Sequence, residues 1–282
     1  MLGYSFMDIA RPDLARKKNL RRIVWIAIAV LLACTAFLVL RLKNPPRHRE
    51  NVTLSHDGRA VQAFVVFPRA KKKASVIVLV HEIYGLSDWA RTMADELADE
   101  GFIVVEPDLL SGHGPNGSGG YNDYTSQDER VQAVSSLDPA TVLADLDATV
   151  DFAKKLPDTD GKIAVVGFSW GGWKSFEFAT RRKDLNAVFV FYGTGPDDIT
   201  GITAPVYGFY AGNDEGVDGT VPATKDAMAA AHKLYDPVTY DGADHGFMRI
   251  GEDAKGNADP NKIAHDQAFV RLVKLLKEMG TR

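Results

Sequence analysis

The sequence predicts an α/β fold with a mostly parallel sheet and helices on both of its faces, preceded by one N-terminal transmembrane helix. From residue 51 onward, an antiparallel start is followed by short apolar runs that alternate with helical patterns, which is typical of a parallel sheet. Residues 162–182 read as a strand, a tight turn and a helix. Residues 23–40 form an eighteen-residue run without a charge, just long enough to span a bilayer as a helix.

Basic residues flank this apolar run on both sides. Six Lys or Arg residues precede it and four follow it before residue 50. The excess on the N-terminal side predicts a cytoplasmic N-terminus and an exported main domain. Two alternatives stay open. The run is also compatible with a cleaved signal peptide, and Leu31-Leu32-Ala33-Cys34 resembles a lipoprotein processing box with lipid attached at Cys34.

Charge divides along the same boundary. The predicted organisation is a basic segment 1–22, a transmembrane helix 23–40, a linker 41–50 and a main domain 51–282. Residues 1–50 carry ten Lys or Arg and three Asp or Glu, whereas residues 51–282 carry 23 and 34. The basic segment suits anionic membrane lipid, and the acidic domain argues against nucleic acid as a partner. Cys34 is the single cysteine, so the main domain has no cysteine nucleophile, disulfide or cysteine metal site.

The elements of the main domain follow in order. Asp57-Gly58 is a hairpin signal between strands predicted at 52–55 and 60–67. Further strands are predicted at 76–80, 102–106, 163–167, 187–192, 206–210 and 238–240. Helices are predicted at 87–100, 140–155, 170–182, 221–234 and 261–279. The polar, glycine-rich stretch 111–136 is predicted to be a long lid or binding loop.

The pattern G-x-S-x-G stands at the predicted turn between a strand and a helix. Gly167 and Gly171 lack a Cβ where the helix must pass close to the strand. The turn would lift the Ser169 hydroxyl above the sheet edge, beside a helix N-terminus. Backbone N–H groups there can stabilise a developing oxyanion. This context predicts that Ser169 is a catalytic nucleophile.

A serine hydroxyl needs a histidine base, and the base needs a carboxylate that fixes its tautomer. On a sheet wound in this way, serine, acid and histidine come in that order, each on a loop after a strand. Asp214 and His245 follow two successive predicted strands after Ser169. They are therefore the predicted acid and base. Asp241 and Asp244 are rivals for the acid, although they share a loop with His245.

The segment His81-Glu82-Ile83-Tyr84-Gly85 directly follows a buried strand. Its turn predicts an oxyanion-hole N–H at Ile83, with a second donated by Trp170. A zinc-binding H-E-x-x-H helix would need a second histidine where this chain has Gly85, so this segment predicts no metal site. No organic cofactor is predicted either. A lone buried carboxylate is costly, so Glu82 is expected to have an arginine or the active-site network as its partner.

These segments together resemble the dienelactone hydrolase family of α/β-hydrolases. The resemblance rests, in order, on His81–Leu86, Glu106–Leu109, Gly167–Gly172, Phe191–Gly193, Gly212–Asp214 and Gly242–Phe247. It implies an α/β-hydrolase fold for residues 51–282. In that family the nucleophile is typically a cysteine, so Ser169 is a departure. The resemblance also implies substrate-site roles for Glu82 and for Arg249, which would bind a substrate carboxylate.

A second substrate-binding arginine is expected from the family. Arg130 is nearby in sequence, with Gln132 as the alternative equivalent. The prediction is a membrane-anchored serine hydrolase of a small-molecule ester or lactone, anionic substrates included. A non-catalytic binding or scaffold domain and a peptidase of the same fold are the alternative functions.

Overall fold

The computed structural model describes residues 22–33, 35, 47–56, 58–70, 72–117 and 119–281. The chain divides into two units, Met1–Pro46 and Arg47–Arg282. In the first unit, residues 22–33 and 35 are helical and form α1. The apolar side chains of Ile23, Trp25 and Leu31 in α1 are each more than half exposed.

The predicted transmembrane helix 23–40 is described only at residues 23–33 and 35. Cys34 and residues 36–40 lie outside the described residues, as do most of the basic segment and linker residues 41–46. Among the helices of the described ranges, none combines the length and the apolar character needed to cross a bilayer.

The second unit is built on one twisted sheet of eight strands. Their bounds are β1 Arg49–His56, β2 Arg59–Val66, β3 Ala74–Val80, β4 Ile103–Pro107, β5 Thr159–Phe168, β6 Ala187–Phe191, β7 Val206–Ala211 and β8 Tyr235–Tyr240. The spatial order is β1-β2-β4-β3-β5-β6-β7-β8. β2 pairs antiparallel with both β1 and β4, and every pairing from β4 to β8 is parallel. The central strands β3 and β6 are buried along their whole length, as expected for strands covered on both faces.

Helices cover both faces of this sheet, as predicted. Their bounds are α2 Asp88–Asp99, α3 Gln127–Ser135, α4 Pro139–Ala153, α5 Trp170–Arg181, α6 Glu215–Asp218, α7 Val221–Ala230, α8 Phe247–Asp253 and α9 Pro260–Thr281. One apolar core lies between the sheet and α4, α5 and α7. A second core lies between the opposite face and α2, α8 and α9. The α/β prediction is therefore confirmed for this unit.

The long loop predicted at 111–136 is partly wrong, because it contains a 3₁₀ turn at Tyr121–Asp123 and the helix α3. Ser126 and Glu129 form a reciprocal capping box at the start of α3. Only Val134 of that helix is buried, so its sequence shows little apolar periodicity. The prediction for α7 is also too long, since the chain turns at His232, which has a φ of 54°.

Candidate active site

Ser169 stands in the turn between β5 and α5. Its backbone has φ 53° and ψ −116°, and its N–H donates to the Phe191 carbonyl on β6 at 2.9 Å. A Cβ added at Gly167 would lie 2.2 Å from the Gly171 carbonyl oxygen, and one added at Gly171 would lie 2.3 Å from the His81 carbonyl oxygen. The two glycines therefore allow the start of α5 to approach β5 and β3 closely, as the sequence predicts.

The structure brings the three predicted catalytic side chains together. Ser169 Oγ lies 2.7 Å from His245 Nε2, and His245 Nδ1 lies 2.5 Å from Asp214 Oδ2. Asp214 follows β7 and His245 follows β8, so neighbouring parallel strands deliver both residues to one edge of the sheet. The His245 side chain is 44% exposed and that of Asp214 is 15% exposed, so the site is open on the histidine side.

Asp244, the rival acid, has a different position. Its carboxylate accepts hydrogen bonds from the side-chain amides of Asn213 at 3.0 Å and Asn261 at 2.9 Å. Asn213 also donates to the Gly242 carbonyl. Asp244 thus ties the loop that carries Asp214 to the loop that carries His245. The other rival, Asp241, is exposed.

The predicted oxyanion-hole residues lie on two adjoining segments. Ile83 stands in a turn in which the Gly85 N–H donates to the Glu82 carbonyl at 3.0 Å, and Gly85 has a φ of 75°. Trp170 is the first residue of α5, where backbone N–H groups have no partner within the helix. Within the described residues, no backbone carbonyl accepts the N–H of Ile83 or of Trp170. Both groups are therefore available to a ligand.

Glu82 is buried and paired. Its carboxylate accepts a hydrogen bond from Arg249 Nε at 3.1 Å and one from the Tyr192 hydroxyl at 3.4 Å. The Arg249 guanidinium also stacks over the Tyr84 ring at 4.9 Å. Burial raises the pKa of Glu82, and the opposing charge of Arg249 offsets this only in part. Glu82 in turn raises the pKa of Arg249 against the effect of its burial, so the arginine stays charged.

Arg130 is held by the loop that follows β4. Its guanidinium donates to the Tyr124 carbonyl at 2.9 Å and stacks over the Tyr121 ring at 4.5 Å. None of these contacts involves Ser169, His245 or Asp214. The alternative residue, Gln132, lines a separate cavity of about 360 Å³ beside Tyr124.

Tyr192 is a site residue that sequence reasoning did not single out. It directly follows β6, has a φ of 39° and is 1% exposed. Its ring centroid lies 5.0 Å from that of His245 and 5.2 Å from that of Phe247. The available signal was its place after β6, next to the strand that leads to Ser169. Parallel neighbours end at one edge, which brings Tyr192 to the base and to Glu82.

The described residues contain no cluster of three or more His, Cys, Asp or Glu side chains that could hold a metal ion. A larger cavity of about 740 Å³ lies away from Ser169, beside the loop after β4, and is lined by residues including Arg59, Arg91 and Asp108. The side chains of Ser169, His245 and Asp214 do not line this cavity.

Comparisons with known proteins agree with this geometry. Residues 61–280 match the sequence model of the dienelactone hydrolase family. A Methylorubrum extorquens protein described provisionally as a carboxymethylenebutenolidase is 30% identical over 206 residues, which cover 68% of this chain and 69% of the relative. The carboxymethylenebutenolidase of Pseudomonas putida is 29% identical over 203 residues, covering 69% of this chain and 84% of that protein.

A solved structure from Klebsiella pneumoniae, described provisionally as a dienelactone hydrolase, shares the fold. Its TM-score is 0.69 at 23% identity, covering 82% of this chain and 99% of the solved chain. The family match, at residues 61–280, spans most of the second unit. The chain therefore belongs to the dienelactone hydrolase family of the α/β-hydrolase superfamily and is an ester or lactone hydrolase.

Proposed function

We propose that the chain hydrolyses its ester or lactone through Ser169, His245 and Asp214. The observation that carries the proposal is the chain of hydrogen bonds from Ser169 Oγ through the His245 ring to Asp214. Asp214 accepts the Nδ1–H of His245, which leaves the Nε2 lone pair facing the serine hydroxyl. That arrangement is what a serine needs to act as a nucleophile near neutral pH.

In the proposed reaction, Ser169 Oγ attacks the carbonyl carbon while His245 Nε2 takes the hydroxyl proton. The carbonyl oxygen becomes an oxyanion, which the N–H groups of Ile83 and Trp170 stabilise. Collapse of the tetrahedral intermediate breaks the ester C–O bond, and His245 gives its proton to the leaving alkoxide. A water molecule, deprotonated by His245, then attacks the acyl-enzyme. The bond from the acyl carbon to Ser169 Oγ breaks, His245 returns the proton to Oγ, and the acid is released.

The test compares Ser169→Ala and His245→Ala with wild type on a panel of ester, lactone and peptide substrates. Each substitution is expected to lower kcat/KM for the best ester by at least about 1,000-fold while the fold is retained. Ser135→Ala is the matched control, because the exposed Ser135 hydroxyl donates to the carbonyl of Val131 in its own helix, away from Ser169. A fluorophosphonate probe should label wild type and the control but not Ser169→Ala.

Three results would count against this proposal. Labelling of Ser169→Ala at the wild-type rate would remove the serine from the reaction. An absence of any turnover or labelling in wild type would favour a binding or scaffold domain. Peptide cleavage faster than ester cleavage would favour the peptidase alternative.

We further propose that anionic esters are preferred and that Arg249 contributes to this preference. The Arg249 side chain is 35% exposed, so part of its guanidinium remains accessible beside the pair with Glu82. A charge-assisted hydrogen bond to a substrate carboxylate is worth about 1.5–3 kcal/mol. Arg249→Ala should therefore raise KM at least about tenfold more for a carboxylate-bearing ester than for its neutral isostere, which registers only the lost pair with Glu82. Equal effects on both esters would contradict the role.

The same pair of esters tests Arg130. If the predicted role as a second substrate-binding arginine is right, Arg130→Ala raises KM selectively for the anionic ester. If its contacts with Tyr121 and Tyr124 are its whole role, both esters are affected equally through the loop.

We also propose that the apolar run 23–40 anchors the domain to a membrane, with a cytoplasmic N-terminus and the hydrolase on the exported side. The charge-free run and its basic flanks support this reading. The full chain should sediment with membranes, a 47–282 fragment should not, and protease should reach the domain only from the exported side. Release of a shortened soluble form would indicate a cleaved signal instead, and lipid incorporation at Cys34 would indicate a lipoprotein.

A further inference from the structure

His81 is a buried residue that the proposed reaction does not use. It directly follows β3 and is 0% exposed. Its ring lies nearly parallel to the indole of Trp170, with centroids 5.8 Å apart and planes at 9°. Nδ1 lies 2.8 Å from the carbonyl oxygen of Glu82. Nε2 has no hydrogen-bond partner among the described residues, so the contact with Glu82 is the ring's polar contact.

The direction of that hydrogen bond follows from burial. Burial lowers the pKa of His81, because the charged ring would lose its hydration. A neutral ring carries one N–H, and the acceptor at Glu82 places it on Nδ1. Nδ1–H therefore donates to the Glu82 carbonyl, which also accepts the Gly85 N–H at 3.0 Å.

The Glu82 carbonyl belongs to the same peptide group as the N–H of Ile83. In a trans peptide the C=O and the N–H point in opposite directions within one plane. Two donors that hold the carbonyl oxygen therefore fix the direction of the Ile83 N–H. Trp170, the second predicted oxyanion donor, also contacts His81, because the His81 ring stacks on the Trp170 indole. The His81 carbonyl packs against Gly171, the residue after Trp170.

We infer that His81 is a positioning residue that holds both backbone donors of the oxyanion hole, Ile83 through the Nδ1 hydrogen bond and Trp170 through ring stacking. The inference rests on the proposed function, because it needs an oxyanion at this place. It assigns one side chain to the alignment of two N–H groups that come from segments almost ninety residues apart in the chain. Preorganised donors of this kind stabilise charge that develops in the transition state.

Three substitutions separate the two contacts. His81→Phe keeps an aromatic ring for Trp170 and removes the donor to Glu82. His81→Asn removes the ring but keeps an N–H donor bonded to Cγ, as Nδ1 is in histidine. His81→Ala removes both. His265→Phe is the matched control, because His265 also stacks on an aromatic ring, that of Phe269, but lies in α9 outside the site.

Loss of a whole oxyanion donor lowers kcat about 100- to 1,000-fold, and a misaligned donor costs less. His81→Phe should therefore lower kcat about tenfold or more while KM stays within about twofold. Its affinity for an alkyl boronic acid, which forms a tetrahedral anion on the serine, should fall by a similar factor. If His81 had only a structural role, His81→Phe would change thermal stability or KM without a matching change in boronate affinity. His265→Phe should leave kcat, KM and boronate affinity within about twofold of wild type.

The inference fails if folded His81→Phe keeps kcat and boronate affinity within about twofold of wild type. Should that variant not fold, His81→Asn and His81→Ala decide. The inference requires that kcat of His81→Asn be at least about fivefold higher than kcat of His81→Ala. Equal kcat values for the two variants overturn it. Wild type without Ser169-dependent turnover would overturn the proposed function as well, whereas the outcomes above overturn only the role of His81.

Discussion

At the scale of single residues, the environment of Glu106 is poorly suited to a charged carboxylate. It lies on β4 with 0% exposure, and neither carboxylate oxygen has a hydrogen-bond partner within the described residues. Burial raises the pKa of Glu106 well above its ordinary value of 4.5, Asp108 adds to the effect and Arg91 opposes it. An unpaired buried charge is costly, so the folded protein holds this proton to higher pH than the unfolded chain does.

The pH dependence of folding should carry this signature. In the unfolded chain Glu106 releases its proton near its ordinary pKa of 4.5, whereas the folded chain retains it to higher pH. Its contribution to stability is therefore complete below about pH 4.5 and is lost as pH rises towards the folded pKa. Glu106→Gln should be more stable than wild type at pH 8 and nearly equal at pH 4.

Urea denaturation at a series of pH values measures this difference. Glu50→Gln serves as the control, because Glu50 is an exposed carboxylate on β1 and should change the pH profile little. A Glu106→Gln profile parallel to that of wild type would show that Glu106 ionises normally in the folded state.

At the scale of elements, the packing of α5 against the sheet depends on glycine. A Cβ added at Gly171 would lie 2.3 Å from the His81 carbonyl oxygen and 2.4 Å from that of Val80, and neither backbone atom can move freely. Gly171→Ala should therefore push α5 away from β3 and destabilise the fold by about 1–3 kcal/mol. Because α5 carries Trp170, activity should fall as well.

Gly256→Ala is the corresponding control, since a Cβ there meets no atom within 4 Å and the backbone does not have positive φ. That surface substitution should stay within about 0.5 kcal/mol of wild type. Denaturation midpoints of both variants give the comparison. A Gly171→Ala variant as stable as Gly256→Ala would mean that α5 can shift without cost.

The elements also show which parts of the structure the sequence could predict. Apolar runs bounded by turn residues predicted the strands, because a strand that is buried on both faces needs apolar side chains at nearly every position. α3 was missed although Ser126 and Glu129 carry its capping signal, since a helix that buries one residue shows almost no periodicity. α8 was missed because it is a seven-residue helix that immediately follows the His245 loop.

Contacts between distant side chains were harder to predict. The order of Ser169, Asp214 and His245 along successive strands was enough to predict their meeting, because parallel strands end at one edge. Nothing in the spacing pairs Glu82 with Arg249, which is 167 residues away. The stacking of Arg130 on Tyr121 likewise depends on how the loop after β4 folds back.

At the scale of the whole second unit, the fold begins before the predicted boundary at residue 51. The side chain of Arg47 is only 4% exposed and pairs with Asp95 at 2.8 Å and with Asp99, both on α2. Arg49 also pairs with Asp95 at 2.8 Å. These ion pairs connect the start of β1 to α2.

A fragment that starts at residue 47 should therefore be more stable than one that starts at residue 51. Charge-assisted hydrogen bonds contribute about 1.5–3 kcal/mol each where they are partly buried, so a difference of at least about 1.5 kcal/mol is expected. Arg47→Ala within the longer fragment should reproduce part of it. Thermal denaturation of the three proteins provides the measurement, and identical stabilities would assign the ion pairs no role.

The backbone of Ser169 implies a conflict between stability and activity. Its φ of 53° and ψ of −116° correspond to the first central position of a type II′ turn, a conformation that suits glycine and strains any residue with a Cβ. Such strain costs about 1–3 kcal/mol. Ser169→Gly should thus be inactive yet more stable than Ser169→Ala, which keeps the strain without the hydroxyl. A lineage released from selection for hydrolysis would gain stability by replacing this serine with glycine.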